Sequence, residues 1–162
     1  MKAAALTSYD IFLSHSFIDR DLLGGAVELF ESMNYTVYID WKDDSQLSRQ
    51  AVTKSTADIL RERVGRSAAL FFATTPNAPT SKWMPWELGY MDGNKGKSAI
   101  LPVSDEVRSS DSYIGQEYLG VYPYVTVGND TKGRRRLWIR ENLDVYVSFD
   151  SWLKGNEPRR RS

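Results

Sequence analysis

Two periods alternate along this chain: short apolar runs that suit strands, and longer segments with apolar residues every three or four positions. Tyr9-Asp10-Ile11-Phe12-Leu13-Ser14 is a mostly apolar run fit for the centre of a sheet. A polar turn follows from Ser16 to Asp19. Leu22, Ala26, Phe30 and Met33 then fall four, four and three apart and predict a helix over Arg20–Met33. Asp19 is placed to cap this helix and Asn34 to stop it.

The pattern then repeats. Thr36-Val37-Tyr38-Ile39-Asp40 predicts a second strand, followed by a polar loop from Trp41 to Arg49 and a helix over Val52–Arg63. Ser67–Ala73 predicts a fully buried third strand, and Thr74–Thr80, with its prolines and asparagine, a loop. The next helix starts near Lys82 and places Pro85 in its first turn, where the missing N–H is not needed. Ser98–Val103 predicts a fourth strand, 104–120 an irregular polar stretch, and Val121–Val127 a fifth strand, with Pro123 marking it as an edge. Lys132–Leu153 predicts a helix, a short β-like segment from Val145 to Phe149, and a packed Trp152.

Strands alternating with helices predict a parallel sheet covered on both faces. Right-handed crossovers leave few topologies, and the natural one is a flavodoxin-like, three-layer α/β/α fold with a central five-stranded parallel sheet. Ligands of such folds bind beyond the carboxyl ends of the strands. His15, Asp40, Thr74 and Trp83 follow or end predicted strands there and are expected to converge on one rim with Glu87.

Composition narrows the chemistry. Among 162 residues, 21 Lys and Arg balance 21 Asp and Glu, and there is no cysteine. The even balance argues against a general nucleic-acid binder, which needs a basic face. Disulfides, thiolate metal sites and cysteine nucleophiles are excluded. Gly133-Arg134-Arg135-Arg136 reads as the polar face of the late helix, and Pro158–Arg161 as a solvated tail. The Met1–Leu6 start is too short and too soon polar for a signal peptide, and no apolar run reaches membrane-spanning length. The expectation is a cytoplasmic protein with no membrane partner.

Ser81-Lys82-Trp83-Met84-Pro85-Trp86-Glu87-Leu88-Gly89 holds the main candidate chemistry. Residues four apart share a helix face, so Trp83 would form an aromatic wall beside Glu87. Near a helix N-terminus the dipole favours a carboxylate over a proton donor. That pair suits holding a ribose while positive charge develops on it; a buried tryptophan near an unrelated glutamate is the plain alternative. Other motifs fail. No Gly-x-Gly-x-x-Gly follows the first strand. Gly96-Lys97-Ser98 has Met91 where a P-loop needs its first glycine, and it precedes a strand. The third strand ends Ala73-Thr74 without a receiver's aspartate. His15 is the only histidine, no Gly-x-Ser-x-Gly elbow presents a serine, and no carboxylate set suggests a metal. His15 reads as a loop-packing or ligand-contacting residue. Asp40 either caps a strand end or touches ligand, and Trp41 either covers the core or does the same.

Taken together, Tyr9–Ser16 with Asp19, Tyr35–Asp40, and Ser81-Lys82-Trp83 through Glu87-Leu88 resemble, in the right order, three segments of Toll/interleukin-1 receptor (TIR) domains. The match covers Tyr9 to about Val127. The resemblance implies a TIR domain over 9–153, with 1–8 an N-terminal extension and 154–162 a basic disordered tail. It implies catalysis by Glu87, substrate contacts from Trp83, His15, Ser16, Phe17 and Asp19, and a site lined or gated by Asp40 and the Asp43–Arg49 loop. That loop lacks the glycine familiar in many members, and Met84-Pro85-Trp86 is unusual filling.

The activity so implied is an NAD⁺ glycohydrolase or cyclase. It would cleave the nicotinamide–ribose bond to give ADP-ribose or a cyclic or conjugated signal, with NAD⁺ as substrate, no cofactor and no metal. The resemblance further implies a place in antiphage or innate immune defence, self-association through TIR–TIR contacts, and a separate effector that reads the product. Two other readings compete: a non-catalytic TIR scaffold, and a nucleoside N-glycosidase or deoxyribosyltransferase on the same frame.

Overall fold

A computed structural model describes residues 8–16, 19–44, 52–75, 81–103 and 117–160. The elements run β1 (Tyr9–Ser14), α1 (Arg20–Ser32), β2 (Val37–Tyr38), α2 (Asp40–Asp43), α3 (Lys54–Gly65), β3 (Ser67–Thr74), α4 (Met84–Lys95) and β4 (Ser98–Pro102). A 3-10 turn (Glu117–Val121) leads to β5 (Tyr124–Asn129), β6 (Arg135–Arg140), β7 (Val145–Ser148), α5 (Phe149–Leu153) and β8 (Arg159–Arg160). They build one sheet in the order β2-β1-β3-β4-β5-β6-β7-β8.

The five parallel strands expected from the sequence are present as β2-β1-β3-β4-β5. Three antiparallel strands then extend the sheet to eight. This corrects the late helix: Gly133 takes φ +77 in a tight turn after β5, and Arg135–Arg140 returns as a strand. The alternation Arg136, Leu137, Trp138, Ile139, Arg140 has period two, with Leu137 and Ile139 buried. β5 is therefore no edge; Pro123 lies just before it, and its carbonyl accepts the Ile100 N–H at 2.8 Å. Arg159 and Arg160 are not a disordered tail either, since they pair with Tyr146 and Val145.

Strand parity splits the interior in two. Ile11, Leu13, Phe71 and Ala73 face α1 and α5, where Leu23, Val27, Phe30, Phe149 and Trp152 meet them. Phe12, Leu70, Phe72 and Ile100 face α3 and α4, against Leu60, Val64, Met84, Leu88 and Met91. Helices on both faces make the three layers. Of the expected α1 stripe, Phe30 is buried and Ala26 and Met33 pack partly buried, but Leu22 is 38% exposed and Leu23 and Val27 are buried instead. Asn34 ends the helix in the left-handed region at φ 70.

Asp40 does not end a strand. β2 stops at Tyr38, and Asp40 opens α2, whose Asp43 carboxylate reaches back to accept the Ile39 N–H at 3.0 Å. α3 starts two residues later than expected, because Thr53 caps it by accepting the Thr56 N–H. Pro85 sits in the first turn of α4 as expected, and Gly96 closes that helix at φ +66.

Candidate active site

The strand order reverses at β1 and β3, which makes their carboxyl ends the switch point where a doubly wound sheet leaves a crevice. Ser14 ends β1 there and pairs across the ladder with Phe72 of β3. Ser14 has the parity of Phe12, so it faces the α4 side. Its hydroxyl donates to Glu87 Oε1 at 2.7 Å, and both residues are fully buried.

Glu87 lies in the first turn of α4, and its N–H donates to the Trp83 carbonyl at 2.8 Å. Trp83 is the N-cap residue and is buried at 5% exposure. Its indole N–H has no hydrogen-bond partner among the described residues. The ring meets Trp86 edge-on at 5.2 Å, and Trp86 stacks on Tyr90 at 5.7 Å. Trp83 and Glu87 thus stand one helical turn apart beneath the rim, as their spacing predicts.

A second group forms beside the first. His15 is buried, and its Nδ1–H donates to the Leu13 carbonyl at 3.1 Å, which leaves Nε2 facing Asp40 Oδ1 at 3.5 Å. Trp41 sets its ring edge against the imidazole at 4.9 Å. Asp40 is buried and Trp41 half-buried. His15 therefore packs between β1 and α2.

Asp19 is buried and gives α1 no side-chain cap; its carboxylate instead accepts the Thr75 hydroxyl, tying the β1–α1 turn to the end of β3. Ser16 is buried, and its carbonyl accepts the Asp19 N–H at 3.0 Å. Thr74 points elsewhere: its hydroxyl donates to the Leu101 carbonyl at 3.4 Å. Phe17 and residues 45–49 of the second loop lie outside the described residues.

Asp44 closes the near end of that loop. It accepts from Tyr38 at 2.8 Å and from Arg63 at 2.7 and 3.0 Å. Burial, then the bond to Asp44, pushes the Tyr38 hydroxyl far above the usual phenol range, so it stays a neutral donor. Burial also raises the Asp43 carboxyl, against the lowering effect of the Ile39 N–H.

Sequence reasoning passed over Ser14 and Thr75 as site residues. The signal for Ser14 was its parity with Phe12; Thr75 had none, because its contact depends on where the turn after β1 travels. Among the described residues no group of three or more carboxylates and histidines could hold a metal, and no helix is long and apolar enough to cross a membrane.

No family model matches the chain. Two curated proteins are similar to it. One, provisionally named the 3′ cyclic ADP-D-ribose synthase ThsB′ of Bacillus cereus (strain MSX-D12), is 52% identical over 153 residues, 91% of this chain and 77% of that protein. The other, provisionally named the cyclic ADP-D-ribose synthase TIR2 of Cytobacillus dafuensis, is 34% identical over 100 residues, 60% of this chain and 26% of that protein.

Proposed function

The chain belongs to the Toll/interleukin-1 receptor family, in its NAD⁺-cleaving branch, and on that premise we propose that Glu87 carries the chemistry and that the product is a cyclic ADP-ribose. The observation that supports this most is the position of Glu87: a buried carboxylate at the β1/β3 switch point, held by Ser14 and flanked by Trp83.

The reaction follows from that placement. Nicotinamide is a cationic leaving group, so the bond between its nitrogen and the ribose breaks without a general acid. The electron pair leaves with nicotinamide, which becomes neutral, and the sugar becomes an oxocarbenium-like cation. An ionised carboxylate that meets the ribose stabilises this charge more strongly than it does the ground state. A hydroxyl of the same molecule then attacks the cation and gives up its proton, which closes the ring; water in its place yields ADP-ribose. Trp83 walls the sugar, while His15, Ser16, Asp19, Asp40 and Trp41 shape the rim around it.

Glu87 is fully buried, so a sugar reaches it only when the rim opens. We propose self-association through TIR–TIR contacts on activation, a separate effector as the reader of the product, and defence against phage as the setting. Those three readings rest on the family resemblance.

The deciding experiment follows NAD⁺ at high protein concentration by chromatography with mass detection, for the wild type and Glu87→Ala. Loss of NAD⁺ with release of nicotinamide, abolished in the variant, is expected. The second product should be one water lighter than ADP-ribose. Equal turnover by the variant would remove Glu87 from the mechanism.

A further inference from the structure

Ser14 and Glu87 are 73 residues apart in the chain. Their hydrogen bond ties the carboxylate to the central sheet. The backbone of Glu87 is already held by the Trp83 carbonyl, yet the side chain keeps three rotatable bonds beyond it. The Ser14 hydroxyl restrains that freedom at the carboxylate itself. Asp58, Asp130 and Asp150 accept from lysine or arginine, whereas Glu87, like Asp19 with Thr75, accepts from a neutral hydroxyl. A neutral hydroxyl orients a carboxylate without cancelling its charge. That is the partner an anion needs if it must face a cationic sugar.

We propose that Ser14 is the positioning residue of the reaction: by holding Oε1 it sets the plane and charge that Glu87 presents to the departing ribose. This rests on the catalytic reading of Glu87. Losing a hydrogen bond to a charged group that acts on the transition state should cost about 10–100-fold in rate, equivalent to about 1.4–2.7 kcal/mol.

The test compares Ser14→Ala, Ser14→Thr and Ser14→Cys with the wild type and Glu87→Ala. It measures kcat and KM for NAD⁺ cleavage, binding of the non-cleavable analogue carba-NAD⁺, and thermal unfolding. Ser14→Ala should lower kcat about 10–100-fold, with KM and analogue affinity changed less than about threefold. Ser14→Thr keeps the hydroxyl in a strand that accepts β-branching, so it should recover most of the rate. Ser14→Cys keeps the shape but offers only a weak donor, so it should stay near Ser14→Ala. Cys matching or exceeding Thr would make Ser14 a packing residue and overturn the proposal, even if Ser14→Ala does not fold. So would a kcat within about twofold of wild type in Ser14→Ala while Glu87→Ala is dead. Wild-type turnover by Glu87→Ala is a different failure, because it overturns the catalytic reading on which the proposal rests.

Discussion

Arg63 grips Asp44 with both arms of its guanidinium, Nε to Oδ2 at 2.7 Å and Nη2 to Oδ1 at 3.0 Å. The pair is only 16% and 19% exposed, and the Tyr38 hydroxyl completes it. One carboxylate thus joins β2, the end of α2 and the last turn of α3. Lysine keeps the charge of arginine but not its planar fork. Arg63→Lys should therefore cost about 1–2 kcal/mol of stability, and Arg63→Ala about 2–3 kcal/mol. Tyr38→Phe should cost about 1 kcal/mol. Urea titrations with unchanged m-values would check all three.

Asp130 organises the β5–β6 turn. Its carboxylate accepts the Lys132 and Arg134 N–H groups, each at 2.9 Å, and the Arg134 and Arg136 guanidinium groups, each at 3.1 Å. These donors, the Arg134 N–H first, hold the carboxyl well below the usual range. A carboxyl depressed in the folded state stabilises the fold above its unfolded value, near pH 4, and that contribution is lost as pH falls through the folded value. Asp130→Asn should lower the unfolding temperature at pH 7 and make it fall less steeply below about pH 4. Thermal scans across pH 2–7 read both effects.

The Thr75 hydroxyl bonded to the buried Asp19 carboxylate joins the turn after β1 to the end of β3. Thr75→Val keeps the shape and removes a donor from a buried anion, at an expected cost of about 1–3 kcal/mol. NAD⁺ turnover should fall as well, since both joined segments border Glu87. Thr75→Ser should keep most of the stability and rate. Calorimetry and the turnover assay, run on the same samples, test the pair of effects.

Phe149 is fully buried and meets Phe71 at 5.3 Å and Tyr35 at 5.2 Å, both edge-on. It comes from the antiparallel extension yet packs in the core beneath the parallel strands. Phe149→Ala should cost about 3–5 kcal/mol. Chemical unfolding should remain a single transition when followed by both near- and far-ultraviolet circular dichroism. Two transitions would mean that the extension is an independent unit.

The parallel half of the sheet and the helix carrying Glu87 were legible because their signals are local. β1 and β3 are apolar runs, α4 announces itself with Pro85 in its first turn, and Trp83 and Glu87 are four residues apart. The antiparallel half was hidden behind arginines: Arg134, Arg135 and Arg136 together resemble a polar helix face, and only Leu137 and Ile139 reveal period two. Pro123 misled in a similar way, since a proline just before a strand leaves the ladder intact. The placement of Trp83 and Glu87 one turn apart at the start of α4 was readable. Ser14 was only half readable: its parity with Phe12 places it on the α4 side, but its partner is 73 residues away and only the fold brings them together.

An open sheet has two flanks with unsatisfied backbone groups, and a long flat flank invites another chain to add itself. Here the flanks are β2 and β8, each two residues long, and β8 consists of two exposed arginines. So little bare ladder, with like charges along one side of it, makes ribbon-like stacking of copies unfavourable. Copies of this protein crowded together are thereby steered toward contacts made by helices and loops, the elements that surround Glu87.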